Sequence, residues 1–434
     1  MINLDEQFLS NMKELLAEEF DDFIESLNRE SEKAVYVNNN KISTDKFLEC
    51  VDFSVEQIPY EKNGFYIAQQ KLGRHALHHA GAIYVQEPSA MFTVNAYQFK
   101  GDELVLDMCS APGGKSIQIA NRIPNGILVS NEVNKKRSEI LFSNIERMGL
   151  KNVIITNDTT FNVASAYANT FDVCLVDAPC SGEGMFRKGE DMINSWNPSL
   201  NEMCAARQLE ILEDANLALK RGGVLIYSTC TYSKLENENV VKAFMSKHNY
   251  ELLPFEHNFS KGFDMDLVAR LYPHKVKGEG QFVAVLRKKE ENTSLPKSRL
   301  KLQNHKKTED FLKKYTNLNV FAYEYKNFSY YISNVNMIKR EVNYVSLGVK
   351  LCDVSSKDIV PHHNLFTTFG NSFNLKINYK HQDIETLKYL RGETLDVILN
   401  DGYGAILVDN CALGGFKISN GKFKNYYPKG LRNF

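Results

Sequence analysis

No apolar run in this chain of 434 residues approaches the roughly 20 that a membrane-spanning helix needs. The start, "MINLDEQFLSNMKELLAEEFDDF", is acidic and amphipathic and lacks the basic and apolar regions of a signal peptide. No CxxC pair occurs, so the metal-ligand spacing of a structural zinc is missing and no bound metal is expected. The eight cysteines are scattered without regular spacing, which excludes a disulfide framework and points to free thiols in a reducing compartment. Two phosphate-binding signatures are absent as well. A Walker A loop needs a glycine five residues before Gly114, where Cys109 stands, and no GxGxxG occurs. The expectation is a soluble, cytoplasmic, monomeric protein without a membrane partner.

With 43% apolar residues the chain can bury several cores. The net charge of −1 hides a gradient. Residues 1–93 carry 8 Lys+Arg against 16 Asp+Glu, residues 94–288 carry 22 against 23, and residues 289–434 carry 22 against 14. A basic C-terminal region is where a polyanion would dock.

Four pieces follow from periodicity. Residues 1–28 read as one helix, with Leu4, Phe8, Met12, Leu15, Leu16 and Phe20 near 3.6 spacing. "KAVYVNNNKIS" and "NGFYIAQ" read as strands around helical "TDKFLECV", a small α+β unit that closes an N-terminal region of 1–93. From 94 to 288, strand-like runs ("ELVLDMC", "GILVSNEV", "VIITND", "DVCLVDAP", "GGVLIYSTC", "QFVAVLRK") alternate with helical ones, which means βαβ units and a mostly parallel sheet. Residues 289–310 are polar and charged and read as a linker. Residues 311–434 hold short Tyr/Phe/Val-rich runs, a β-rich region.

Ligands of open parallel sheets bind at the carboxyl ends of the strands. The first strand delivers "LDMCSAPGGKS" (106–116) there, with glycines that let a ligand approach the backbone and a following helix N-terminus. With nucleoside triphosphate and nicotinamide disfavoured, S-adenosylmethionine is the remaining common ligand. Glu132, closing the second strand, would bind its ribose, and Asp158, after the third, its adenine amino group. Any one acid at a strand end could be a helix cap, but three consecutive strand ends with such features form a site. The acceptor would then lie over the fourth and fifth strands, where "DAPC" and "STC" end in Cys180 and Cys230. A methyl acceptor hydroxyl or amine needs no thiol, whereas C5 of a pyrimidine does: a thiolate adding to C6 turns the ring into an enamine. One thiol would attack and a second would help dismantle the product; which does which stays open on these grounds. Cys109, Cys174 and Cys204 read as ordinary buried thiols. Arg187 and Lys188, just past "PCSGEGMF", are placed to hold phosphates flanking an unstacked base.

"LDMCSAPGGKS", "NEVNKKR", "VDAPCSGEGMFRK" and "YSTCTYSKLENE" together resemble the Nop/Sun family of RNA cytosine-C5 methyltransferases, closely its bacterial ribosomal-RNA branch, the RsmF-like enzymes. "GRHALHHAGAIYVQEPSAM", "LYPHKVKGEGQFVAVL" and "LGGFKISNGKFKNYYPKGLR" extend the resemblance over about residues 74–434. It implies a Rossmann-like seven-stranded S-adenosylmethionine-dependent methyltransferase core, an N-terminal RRM-like α+β subdomain and a C-terminal PUA-like module. It implies methylation of cytosine C5 in ribosomal RNA, 16S by this branch, on free RNA or the small subunit. By resemblance Cys230 attacks and Cys180 serves release; Asp177 holds the cytosine N3 edge, and Lys115 lies where the donor loop meets the active site. Cys109, Ser110, Ala111, Pro112, Gly113, Gly114 and Lys115 wrap the methionine portion, with Glu132, Arg137, Asp158 and Asp177 completing the donor site. The loop departs from many members in beginning Cys109-Ser110 rather than with two small residues. Two other readings remain: a DNA cytosine-C5 methyltransferase, in which the Pro-Cys thiol would be essential, and a catalytically silent RNA-binding assembly factor.

Overall fold

The computed structural model describes residues 3–68, 72–290, 299–355 and 358–432. At its centre seven strands alternate with helices: β1 (Leu104–Asp107), β2 (Ile127–Asn131), β3 (Val153–Thr156), β4 (Phe171–Asp177), β5 (Leu219–Thr229), β6 (Met265–Leu271) and β7 (Gln281–Lys288). They lie in the order β3-β2-β1-β4-β5-β7-β6. β1 to β5 are mutually parallel, and β7 runs antiparallel between β5 and β6. The order reverses at β1 and β4, so the crevice for a ligand opens above their carboxyl ends. Alternate residues feed two cores, as strand geometry requires. Leu106, Val129, Ile154, Val176 and Tyr227 face the helix Pro198–Ala218 and its neighbours, while Val105, Leu128, Ile155, Leu175 and Ile226 face the opposite layer. The mostly parallel sheet of βαβ units expected from the alternating runs is therefore present, with the seven strands that the resemblance implied.

The N-terminal unit runs Ala34–Val37, helix Thr44–Cys50, Val55–Gln57, Gly64–Ile67, helix Ala76–His79, Ile83–Val85. Its antiparallel sheet places Ala34–Val37 between Gly64–Ile67 and Ile83–Val85, with Val55–Gln57 on the edge. This is a split βαβ arrangement. The leading helix differs from the single helix expected over 1–28. It stops at Leu16, Ala17 adopts φ 48°, and a second helix spans Phe20–Leu27. The break rotates the apolar stripe so that Phe8, Met12, Phe23 and Leu27 all pack on Phe186, Trp196, Tyr232 and Tyr272 of the catalytic unit. The helix Pro88–Asn95 runs across the position expected to divide the N-terminal region from the parallel-sheet region.

The C-terminal region holds a five-stranded sheet between Gln303 and Pro361 and a four-stranded one between Leu375 and Asn425. The linker expected over 289–310 is corrected at its end. Lys306–Tyr315 is a helix, because Phe311 and Leu312 bury one face of an otherwise charged segment; positions 291–298 of that stretch lie outside the described residues. Nor is the region a detached tail. Tyr344–Ser346 adds antiparallel to β3, the outer strand of the catalytic sheet, and Ile338, Val342, Tyr344 and Leu347 join its core. Farther on, Ile406, Val408, Leu413 and Phe416 share one core with Val35, Phe47, Phe65 and Ile83 of the N-terminal unit. Lys41 crosses that contact, its ammonium donating to the carbonyls of Thr367 (2.5 Å) and Ala412 (2.6 Å). Among the described residues no helix is long and apolar enough to cross a membrane.

Candidate active site

A cavity of about 410 Å³ opens above β1 and β4, within the size range of small-molecule and cofactor sites. The loop after β1 forms one wall. Gly113 caps the helix Gly114–Arg122 at φ 114°, a conformation open to glycine, and a Cβ there would stand 3.0 Å from Leu141. Arg137 donates to the Ala111 carbonyl (2.7 Å), Asn144 to that of Pro112 (2.9 Å), and the Ser110 amide to Asn131 O (2.8 Å). The loop is thus held from outside, leaving its inner face free. Arg137 also pairs with Glu132 (3.3 Å), which is 3% exposed and accepts from the Asn134 amide.

The floor is acidic. Asp107 is 1% exposed; its Oδ2 accepts from Ser116 (2.6 Å), and its Oδ1 has no hydrogen-bond partner. Burial pushes its carboxyl up to about 7. Asp177, at the end of β4, accepts from Lys115 (2.7 Å), Ser228 (2.7 Å) and Gln281 (3.3 Å). Burial alone would lower the Lys115 ammonium, but the Asp177 charge and hydrogen bond outweigh it and the group is raised.

Cys180 and Cys230 come from the loops after β4 and β5, and their sulfurs are 3.2 Å apart. The contact with Cys230, followed by burial, raises the Cys180 thiol well above its ordinary value. The two loops are knitted together, with Gly184 N donating to Cys230 O at 2.8 Å. A Cβ on Gly184 would come within 2.5 Å of that oxygen, so the approach requires glycine.

The structure gathers most of the residues singled out from sequence, but not all. Cys109, Ser110, Ala111, Pro112, Gly114, Lys115, Arg137, Asp177, Cys230 and Lys188 line the cavity. Glu132 and Asp158 stand at the ends of β2 and β3 beyond its lining. Asp158 is already engaged: one oxygen accepts from Thr159 and Asn162 and the other from the Asn343 amide (3.1 Å) of the C-terminal region. Arg187 is a correction. Its side chain is 5% exposed and paired with Glu279 (2.8 Å), itself 3% exposed, and it also donates to Gly278 O (2.6 Å). It is turned inward and does not offer its charge to a phosphate, whereas the exposed Lys188 lies on the rim. Sequence reasoning missed Asp107, although it ends the first strand in "LDMC", and it missed Gln86, Glu87 and Ala90, which reach the cavity from the N-terminal side.

The sheet order, the glycine loop after β1 and the acids at successive strand ends define an S-adenosylmethionine-dependent methyltransferase of the Rossmann-like class. Three family models match in chain order: the N-terminal domain of 16S rRNA methyltransferase RsmF over residues 4–88, 16S rRNA methyltransferase RsmB/F over 94–287, and the methyltransferase RsmF PUA domain over 376–433. The chain belongs to this RsmF-type branch of the Nop/Sun methyltransferases. Ribosomal RNA small subunit methyltransferase F of Escherichia fergusonii is 36% identical over 317 residues, covering 68% of this chain, and that of Shigella boydii serotype 18 is equally similar. The match spans 66% of each relative's length, just under two thirds. Among solved structures, a methyltransferase homologue from Pyrococcus horikoshii is 28% identical with a TM-score of 0.59, covering 66% of this chain and 96% of its own. NSun6 from Pyrococcus horikoshii with SFG shares the fold at 24% identity, TM-score 0.62, covering 66% of this chain and 99% of its own.

Proposed function

We propose that the protein methylates C5 of cytosine in small-subunit (16S) ribosomal RNA through a covalent adduct between Cys230 and C6 of the base. The observation that carries this reading is the pair of thiols 3.2 Å apart, delivered by neighbouring strand ends beside the β1 loop. A methyltransferase acting on oxygen or nitrogen has no use for two.

The residues present fit S-adenosylmethionine. The loop 109–115 turns its inner face to the cavity, the buried Asp107 Oδ1 lacks a partner, and Glu132 stands at the ribose position of the class. When bound, the cofactor supplies an electrophilic methyl group. This chain's part is to activate and then release the base. Cys230 Sγ bonds to C6, and the electron pair of the C5–C6 bond becomes nucleophilic at C5. The proton given up by the Cys230 thiol passes to N3 as the adduct forms, and Asp177, fixed by Lys115, Ser228 and Gln281, holds that protonated N3 edge until release returns the ring to its neutral form. After transfer, the C5 proton leaves and the C5–C6 double bond re-forms as Cys230 is expelled. Cys180, whose sulfur touches that of Cys230, is placed to serve this release. The base must leave its stack or come from a loop to be reached. Lys188 at the rim is placed to hold a flanking phosphate.

The test separates the thiols by phenotype. Cys230→Ala should abolish methylation and form no covalent RNA complex. Cys180→Ala should transfer and then stall as a protease-sensitive adduct on a denaturing gel, and bisulfite sequencing of 16S rRNA should place the methylated cytosine. Adducts trapped by Cys230→Ala alone would favour a DNA-type arrangement. Intact methylation in both variants would leave the thiols structural.

A further inference from the structure

Behind the two thiols lies a polar lattice that touches neither sulfur. Glu236 (0% exposed) and Glu183 (3%) are joined by Asn201 (7%), whose amide donates to Glu236 Oε1 and to Glu183 Oε1, each at 2.9 Å, and to Ser181 Oγ at 3.2 Å. The two carboxylates serve different loops. Glu236 Oε2 accepts from Ser181 N (3.0 Å), directly after Cys180, and from Gln208 Nε2 (2.8 Å), which also donates to Pro179 O (3.0 Å), directly before it. The Cys180 peptide is therefore fixed on both sides through Glu236. Glu183 Oε2 accepts from Thr231 Oγ1 (2.8 Å) and Tyr232 N (2.9 Å), directly after Cys230, while its Oε1 also takes Trp196 Nε1 (3.1 Å). Ser181 Oγ and Thr231 Oγ1, 2.9 Å apart, add a bridge between the loops beside the Gly184 N to Cys230 O bond.

Every partner of these carboxylates is a neutral donor. Burying two carboxylates without a cation opposes folding, so stability alone does not account for them. Each offers two oxygens to donors on both sides. A glutamine in the same place would turn its NH₂ against at least one N–H or O–H, and that loop would shift.

We infer that Glu236 is the positioning residue of the Cys180 loop and Glu183 that of the Cys230 loop, so that release and attack are tuned by separate buried carboxylates. This rests on the roles proposed above for the two thiols. Attack needs Cys230 alone at C6, and release needs Cys180 in register with it. Loosening each loop should then impair its own step.

The experiment uses the full chain, unmethylated 16S rRNA supplied both free and in the small subunit, and S-adenosylmethionine. It reads single-turnover methyl transfer, multiple turnover and the fraction of RNA trapped covalently. Glu236→Gln should transfer within about threefold of the parent in a single turnover, slow at least about tenfold in multiple turnover, and accumulate adduct. Glu183→Gln should slow the single turnover about tenfold or more and show less adduct than the parent. A merely structural role would move both variants the same way, and that result overturns the inference. Cys180→Ala runs alongside. If it traps RNA and Glu236→Gln does not, the inference fails while the thiol roles stand; if it does not trap RNA, the thiol roles themselves fail. Circular dichroism checks folding, and should Glu183→Gln not fold, Glu236→Gln decides alone: adduct must accumulate at near-parental single-turnover transfer, and its absence overturns the inference.

Discussion

Arg187→Ala discriminates between a surface cation and a buried strut. Arg187 and Glu279 are 5% and 3% exposed, with Nε to Oε2 at 2.8 Å. Arg187 also donates to Gly278 O at 2.6 Å and, at longer range, to Ser26 O and Glu30 O. Truncation leaves a carboxylate buried without its cation, in a place where the other oxygen, Oε1, already lacks a partner. Removing one member of a buried pair costs about 3–5 kcal/mol, against about 0–1 kcal/mol for an exposed one. The protein carries its own probe. The single tryptophan, Trp196, is 5% exposed and shares an apolar cluster with Phe8 and Phe186, the residue before Arg187. Urea unfolding followed by its fluorescence should show a midpoint clearly lowered in Arg187→Ala, and Glu279→Gln added to it should restore about half of the loss by removing the stranded charge. RNA affinity measured over several salt concentrations should keep its slope in Arg187→Ala. In Lys188→Ala it should flatten by roughly 0.7 of a logarithmic unit per unit of log salt, the share of one phosphate contact to single strands. An unchanged urea midpoint together with a flattened slope in Arg187→Ala would refute the buried-strut account.

A chain ending near residue 290 should lose stability and solubility as well as RNA affinity, because Ile338, Val342, Tyr344 and Leu347 complete the catalytic core; a soluble fragment melting at the parent temperature would contradict this. Acid should loosen the contact between the N-terminal unit and the C-terminal module. Burial lowers His79 and His363 to about 4, and the His79 ring meets Tyr427 of that module at 2.8 Å. Because these folded values lie below the unfolded value of about 6.5, stability is complete above pH 6.5. It falls as the pH drops from there toward 4, by up to about 3 kcal/mol for each histidine. Thermal melting between pH 7 and 4.5 should show this, and His363→Phe should flatten the decline; an identical slope in that variant would remove His363 from the account.

The parts of the fold that could be read from sequence are those written locally. Alternating runs such as "ELVLDMC" and "GGVLIYSTC" carry strand and turn in one stretch, and both thiols and the β1 loop lie at such ends. What escaped depends on partners far along the chain. Arg187 and Lys188 are adjacent basic residues, and only the position of Glu279, 92 residues later, turns one inward. Nothing in "KELLAEEFDD" marks Ala17 as a break, since no glycine or proline stands there, and the rotation is imposed by the aromatic surface of the catalytic unit. Tyr344–Ser346 is a strand of three residues whose partner lies nearly two hundred positions earlier. Asp107 has an ordinary strand-end sequence, and only burial makes its carboxyl unusual.

The strand Tyr344–Ser346 also orders events in time. Synthesis proceeds from the N-terminus, so β1 to β7 leave the ribosome well before the segment that covers the edge of β3. Until then β3 presents an open edge to any other strand nearby. The Asn343 amide that meets Asp158 arrives with the same segment. The end of β3, with Asp158, therefore takes its final form only after the chain has been made as far as Tyr344–Ser346, and until then the sheet stands without its last strand.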